Sequence, residues 1–150
     1  MGEGAFDERD TLRLIESLDE IAAYVRDNSA PDETLTGSST LAPVIALAAN
    51  RRLAANEADT NNQRFKTGML DERAFWEAVC ADRIRFIVSS SMSYFTGRRM
   101  SQLPTARRWF RAVKVFNDPG LKYGRTYPIT LYERVGPSPE GDSVCRWEGD

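Results

Sequence analysis

The chain has 150 residues, of which 41% are hydrophobic and 28% charged, and its net charge is −2. These values are ordinary for a globular protein with one packed core. The sequence contains no histidine, which excludes serine–histidine–aspartate and cysteine–histidine catalysis as well as histidine-ligated metals. No run approaches the roughly 18 apolar residues of a membrane-spanning helix, so we expect this chain itself to be soluble.

The first half of the chain alternates between helical and extended patterns. We expect a linker or artificial start over residues 1–9 and a single domain over residues 10–150. Asp10–Asp27 carries the apolar stripe of an amphipathic helix, and Thr34–Gly37 is typical of a short strand. Leu41–Ala49 contains nine consecutive apolar residues, which predicts a buried helix without a polar face.

The middle of the chain continues this alternation. Leu53–Glu57 is predicted to be a second strand, and Asn61–Gly68 a polar loop. A helix is expected over Asp71–Ala81, where apolar residues recur four positions apart, and the apolar run Phe86–Ser89 predicts a central strand. Trp109, Val113 and Phe116 share one side of a predicted helix over Thr105–Phe116.

The end of the chain adds one clear strand. Ile129–Arg134 alternates strictly between apolar and polar residues, after a turn at Asn117–Gly120, and Val144–Trp147 is a candidate short edge strand. Strands that alternate with helices favour a mostly parallel sheet covered on both faces. The predicted fold is therefore an α/β, three-layer Rossmann-like sandwich, with Ile129–Arg134 as an antiparallel edge strand.

The two cysteines are far apart in sequence. Cys80 lies in an apolar stretch of a predicted helix, so a plain buried residue is the simplest interpretation. A disulfide between Cys80 and Cys145 is left open, because pairing cannot be read from sequence.

Charge is unevenly distributed along the chain. Residues 1–82 hold 16 acids and 8 bases, whereas residues 83–116 hold eight bases and no acid. One interpretation is a surface that faces a membrane or an anionic lipid-linked donor; the other is that these bases pair with the acidic first helix. The acidic chain as a whole argues against a nucleic-acid partner. In the first interpretation, the main residues of the membrane-facing surface are five arginines, namely Arg98, Arg99, Arg107, Arg108 and Arg111.

Polar side chains follow the second and third predicted strands. We expect these strands to be parallel neighbours, so that their carboxyl ends meet at the edge where ligands of open α/β sheets bind. The side chains suit a sugar or a phosphate, although ordinary capped loops use the same residue types. A dinucleotide is not expected, since the turn after the first strand has one glycine where the fingerprint needs three. The candidate ligand-binding residues are Asp59, Asn61, Arg64, Ser91 and Tyr94.

Three segments of the chain carry a family resemblance. They are a helix ending YVRDNSAPDETLTGSS, an apolar helix ending LAANRRLAANEADTN before QRF, and a final FNDPGLKYGRTYPITLYER. In this order they resemble the soluble C-terminal extracytoplasmic domain of polytopic (GT-C type) membrane glycosyltransferases. These enzymes are similar to dolichyl-phosphate-mannose–protein mannosyltransferases and to aminoarabinose transferases.

The resemblance implies a parent enzyme that moves a sugar from a polyprenyl-phosphate donor at the extracytoplasmic face of the membrane. In that family the catalytic acids lie near the first transmembrane helices, and no residue of this chain corresponds to them. The resemblance therefore implies no catalytic residue, no metal and no cofactor in this fragment, which would shape the acceptor side or stabilise the transferase.

The resemblance also implies partners. They are the transmembrane portion of the parent chain and, in addition, an anionic lipid or lipid-linked sugar. Two alternatives remain open from the residues themselves: a module that binds a small sugar or anionic ligand, and a structural or protein-interaction domain.

Overall fold

The structure is a computed structural model, and it describes residues 8–90, 95, 109–118 and 127–135. Helical segments alternate with strands over residues 8–90, and the remaining described residues are mostly extended. In chain order the elements are α1 (Glu8–Asp27), β1 (Thr34–Gly37), α2 (Ala42–Ala49), β2 (Arg52–Leu53), a 3-10 turn (Ala54–Asn56), α3 (Asn62–Lys66), α4 (Glu72–Ala81), β3 (Ile84–Ser90), β4 (Phe110–Asp118) and β5 (Tyr127–Arg134).

The strands form one five-stranded mixed sheet in the order β2-β1-β3-β5-β4. β1 pairs in parallel with β2 and β3, whereas β5 is antiparallel to both β3 and β4. Four strands therefore run in one direction and β5 in the other. The predicted α/β class and the antiparallel orientation of Ile129–Arg134 are confirmed. Its predicted place at an edge is wrong, because β4 covers its outer side.

The segment that forms β4 was predicted to be helical, and that prediction is wrong. Trp109, Val113 and Phe116 have helical spacing, but Phe110, which lies outside that pattern, is buried and Arg111 is exposed. Aromatic and β-branched residues favour strands, and β5 offers a pairing partner along the whole of Phe110–Asp118. Tertiary pairing therefore overrides the helical pattern. The predicted start of that helix lies outside the described residues, as does the strand predicted over Val144–Trp147.

The predicted strand Leu53–Glu57 is wrong beyond its first residue, because β2 ends at Leu53 and a 3-10 turn follows over Ala54–Asn56. Ala55 and Asn56 have φ of 59° and 53°, a left-handed backbone that ends an extended strand. The turn is held from outside by Asp82, whose carboxylate accepts the N–H of Ala55 at 2.7 Å. β2 was also predicted to be a central strand, but it lies at one edge of the sheet.

The polar segment Asn61–Gly68 was predicted to be a loop, but it contains α3. The side chain of Asn61 accepts the N–H of Gln63 at 2.8 Å and so caps the first turn. An asparagine cap satisfies a backbone donor that would otherwise lack a partner. The local signal for a helix was therefore present, although the helix spans five residues only.

Each face of the sheet has its own apolar core. On one face α1 and α2 pack over Leu35, Phe86, Val88, Ile129 and Leu131. On the other face α4 packs with side chains that include Ile87, Phe95 and Phe110. Because residues two apart along a strand share a face, the apolar residues of β3 contribute to both cores.

Helix α2 is less buried than its sequence predicts. Ile45 and Ala49 are fully buried, but Leu47 is 84% exposed and Val44 is 48% exposed. The helix therefore presents an apolar face to its surroundings. Among the described residues, no helix has both the length and the apolar character needed to cross a bilayer.

Arg51 joins the ends of two helices. Its guanidinium donates to the carbonyl of Arg26 in the last turn of α1 and to that of Ser29 just after it, each at 3.0 Å. It also donates to the carbonyls of Ala49 and Asn50 at the end of α2. The last carbonyls of a helix lack partners within the helix. One side chain therefore caps both carboxyl ends and fixes the two helices side by side.

Asp82 links α4 to the β2 turn through two contacts. It forms a bidentate ion pair with Arg52, in which one nitrogen–oxygen distance is 2.6 Å, and it accepts the N–H of Ala55. The hydrogen bond from Arg52 is the largest cause of a pKa for Asp82 below the ordinary value, and burial opposes it.

We expect Asp82→Asn to lower the free energy of unfolding at pH 7 by about 1 kcal/mol, because the variant loses the ion pair with Arg52. The effect is no larger because Arg52 is half-exposed and solvent partly screens the pair. The pKa of Asp82 is lowered by folding, so its contribution is present above the unfolded pKa of about 3.9. It is lost as the pH falls through the folded pKa.

Urea unfolding between pH 7 and pH 2 checks this expectation. The gap between wild type and variant should close toward pH 2. Asp27→Asn, at an exposed carboxylate, controls for the loss of one negative charge. A gap that stays constant across the range would contradict the assignment.

Cys80 is buried, as its apolar surroundings predict, but it is not a plain thiol. Its side chain is 8% exposed and the residue is disulfide-bonded. The expectation that it serves only as a small apolar residue is therefore wrong. Cys145 lies outside the described residues.

Candidate functional site

The chain changes direction across the sheet between β1 and β3. From β1 the chain crosses through α2, on one face, to β2 on one side; it then returns through α4, on the other face, to β3 on the opposite side. Ligands of open α/β sheets bind outside the carboxyl ends of the strands at such a switch point. The carboxyl ends of β1 and β3 therefore define the candidate site.

Three hydroxyl side chains, those of Ser38, Thr40 and Ser90, meet at this point. Together with Ser39, which lies between Ser38 and Thr40 in the chain, we call them the switch-point cluster. The Oγ atom of Ser38 lies 3.0 Å from Thr40 Oγ1, and Ser90 Oγ donates to Ser38 Oγ at 3.4 Å. Ser38 is buried, Ser39 and Ser90 are half-buried, and Thr40 is exposed. The cluster thus extends from the interior to the surface.

The close approach of β1 to β3 depends on Gly37. This residue pairs with Val88 and has φ of +145°. A Cβ atom placed there would lie 2.1 Å from the carbonyl oxygen of Val88. The next residue, Ser38, donates its N–H to the same oxygen at 2.8 Å. Glycine therefore allows the hydroxyls that follow β1 to reach those at the end of β3.

The polar loop of residues 57–64 reaches the same edge by a route that differs from the predicted one. β2 and β3 are not neighbours, because β1 lies between them. The buried Thr60 instead donates its hydroxyl to the carbonyl of Gly37 at 2.6 Å. This contact fixes the loop to the carboxyl end of β1.

The structure brings three of the predicted ligand-binding residues together in this loop. Arg64 donates to Glu57 at 2.6 Å and to the carbonyl of Asp59. The N–H of Asn61 donates to the Asp59 carboxylate at 3.2 Å. Asp59 and Asn61 are exposed and Arg64 is half-buried, so the loop edge is accessible while its geometry is fixed. Ser91 and Tyr94 lie outside the described residues.

The predicted basic surface falls largely on residues that the structure does not describe. Arg111 is exposed on β4, whereas the other four arginines of that surface, Arg98, Arg99, Arg107 and Arg108, lie outside the described residues. Lys114, from the same basic segment, donates to Glu20 of α1 at 2.9 Å. This pair is of the kind expected if the basic segment balances the acidic first helix.

A second polar network surrounds Glu133 and Arg134, the last two residues of the LYER sequence at the end of β5. Glu133 accepts the hydroxyl of Tyr24 at 2.8 Å and a guanidinium N–H of Arg85 at 3.1 Å. Burial, followed by the hydrogen bond to Glu133, raises the pKa of Tyr24. Arg134 is 4% exposed and donates to Glu33 at 2.8 Å and to the carbonyl of Ile84. These groups join α1 and β1 to the other strands.

Sequence reasoning missed the role of Ser38, Ser39, Thr40 and Ser90 as one group. These hydroxyls do not cap α2, because α2 begins after Leu41 with no side-chain cap. The sequence feature that could have identified this group is the hydroxyl-rich turn between β1 and an apolar helix. Among the described residues, no group of three or more histidine, cysteine, aspartate or glutamate side chains is placed to hold a metal ion.

Comparisons of this chain with protein-family models, with curated proteins and with solved structures found no match.

Proposed function

We propose that this chain is the extracytoplasmic accessory domain of a polytopic membrane glycosyltransferase that uses polyprenyl-phosphate-linked sugar donors. The domain is itself non-catalytic and shapes the acceptor side or stabilises the transferase. We further propose that its fold is a three-layer Rossmann-like sandwich with a mostly parallel sheet. Helices on both faces and the β2-β1-β3 order support this description.

The observation that carries the proposal is the position of the residues by which the chain resembles these domains. Arg51 caps two helices, Glu133 bridges α1 and β3, and Arg134 binds the segment before β1. Each joins one element to another. Residues that join elements in this way suit a scaffold whose parent carries its chemistry elsewhere.

The state of Cys80 supports an extracytoplasmic location. Disulfides form and persist in oxidising compartments and are rare in the cytosol. A disulfide-bonded Cys80 therefore fits a domain on the outer side of a membrane.

The exposed apolar face of α2 supports contact with the rest of the parent chain. Leu47 and Val44 are large apolar side chains in contact with water in the isolated chain. Exposed apolar surface commonly marks an interaction site, and the transmembrane portion of the parent is the partner that the proposal supplies.

Sugar transfer by the parent chain, reconstituted in vesicles with a polyprenyl-phosphate-linked donor, tests the proposal. The intact parent should transfer sugar and the 150-residue chain alone should not. Arg51→Ala should reduce transfer by the parent, because the two capped helices lose their connection. Arg73→Ala, at an exposed helix surface, is the matched control and should transfer at the wild-type rate. Transfer by the isolated chain, or full transfer by a parent without this domain, would overturn the proposal.

A further inference from the structure

We propose that the switch-point cluster, together with Asn61 on the adjacent loop, forms a binding site for a neutral saccharide. The inference goes beyond an accessory role, since it gives the domain a ligand of its own. It does not depend on the transferase proposal, because a saccharide site can exist in any parent protein.

The first argument is convergence of separate segments. Ser39 and Thr40 follow β1, Ser90 ends β3, and Asn61 follows β2 and its turn. The contact between Thr60 and the carbonyl of Gly37 connects the third segment to the first. Three segments that are distant in sequence thus present polar groups at one edge of the sheet. A site of this kind can contact several hydroxyls of one ligand.

The second argument is the chemistry of the groups presented. A serine or threonine hydroxyl both donates and accepts hydrogen bonds, and so does the asparagine amide. Sugar hydroxyls have the same dual character. Ser39, Ser90 and Asn61 are at least partly exposed. The oxygen of Asn61 accepts the N–H of Gln63, so its NH2 group is the part that can donate to a ligand, and a ligand hydroxyl would join or replace the hydrogen bond between Ser90 and Ser38.

The third argument is charge, which separates a saccharide from a phosphate. The described charged side chains of the loop are two carboxylates, Glu57 and Asp59, and one guanidinium, Arg64. Arg64 already donates to Glu57 and to the Asp59 carbonyl. The loop therefore carries a net charge of −1 beside the cluster, which disfavours an anion and leaves neutral hydrogen bonding as the means of recognition.

The expected affinity follows from the same groups. A neutral hydrogen bond changes an equilibrium by about two- to tenfold. A few such bonds without a buried aromatic anchor give a dissociation constant on the order of millimolar. Weak binding of this size is measurable by chemical-shift titration.

Amide chemical shifts of the 150-residue chain, titrated with methyl α-D-mannopyranoside, methyl β-D-galactopyranoside and sodium phosphate, test the inference. Sodium chloride at matched ionic strength is the reference for phosphate. At least one glycoside should produce saturable shifts at Ser39, Thr40, Asn61 and Ser90. Phosphate should produce none beyond those of the salt reference.

The double variant Ser39→Ala/Ser90→Ala should weaken glycoside binding at least fivefold. Thr67→Ala is the control, because its exposed hydroxyl donates to the carbonyl of Gln63 in α3, and it should bind as the wild type does. Retained amide dispersion establishes that each variant is folded.

The inference is overturned if neither glycoside produces saturable shifts up to 100 mM, or if the double variant binds the glycoside as tightly as the wild type does. Saturable phosphate binding without glycoside binding also overturns it and assigns the site to an anion. The transfer assay of the parent is a separate measurement, so failure of saccharide binding is distinguishable from failure of the accessory role.

Discussion

Replacement of Gly37 by alanine is expected to destabilise the fold by about 3 kcal/mol or more. The added Cβ would meet the backbone oxygen, nitrogen and carbon of Val88 at 2.1, 2.6 and 2.8 Å. These atoms belong to the central strand β3 and cannot rotate away as a side chain can. The φ of +145° adds strain, since this backbone region is open essentially to glycine alone.

Gly68→Ala is the matched control for this prediction. Gly68 also has a positive φ, of +77°, but nothing lies within 4 Å of the position that its Cβ would occupy. Its substitution should therefore cost only the left-handed backbone strain, about 1–2 kcal/mol.

Thermal unfolding followed by circular dichroism separates the two variants. Each kcal/mol should lower the Tm by about 2–4 °C for a chain of this length. We expect a decrease of at least about 6 °C for Gly37→Ala and a smaller one for Gly68→Ala. Equal decreases would show that backbone strain alone matters and that β1 does not require close contact with β3.

Local patterns were sufficient for much of the fold. The apolar stripe of α1, the apolar spacing of α4 and the apolar run of β3 all correspond to observed elements. In each of these segments the burial pattern and the intrinsic preference of the backbone agree.

The errors occur where contacts distant in sequence decide the backbone. The segment Phe110–Asp118 has apolar residues at helical spacing but also aromatic and β-branched residues that favour strands, and pairing with β5 selects the strand. Asp82 holds the turn at Ala55 from 27 residues away and ends β2 after two residues. Neither contact is visible in a local window of sequence.

The candidate site shows the same division. The carboxyl edge of the sheet was predicted from the alternation of strands and helices. The order of the strands was not, so the loop at Asp59 was expected beside β3 and lies instead against the end of β1. The contact between Thr60 and Gly37 depends on that order, and the grouping of Ser38 with Ser90 depends on the pairing of Gly37 with Val88.

Loss of the buried ion pair between Glu33 and Arg134 is the second large effect that we expect. The side chains are 10% and 3% exposed, and the pair is 2.8 Å long. Glu33 also accepts the N–H of Ala30 at 2.8 Å. Glu33→Gln keeps the shape of the side chain but leaves the guanidinium of Arg134 buried without its counter-charge, which costs about 3–5 kcal/mol.

A double-mutant cycle isolates the pair from the packing around it. Arg134→Met should cost about as much as Glu33→Gln, because it leaves a buried carboxylate unpaired. The double variant, with neither charge, should cost at least about 2 kcal/mol less than the sum of the single changes. Urea unfolding at pH 7 measures all four members of the cycle.

The exposed pair of Arg73 and Glu77 provides the control. These side chains lie one helical turn apart on α4 and are 70% and 56% exposed, so Glu77→Gln should cost no more than about 0.5 kcal/mol. Salt should distinguish the pairs as well, because exposed charges are screened at high ionic strength and buried ones much less. If the effects of the single changes at Glu33 and Arg134 were additive, the two residues would not act as a coupled buried pair. Arg134 would then stabilise the sheet only through packing and its contact with Ile84.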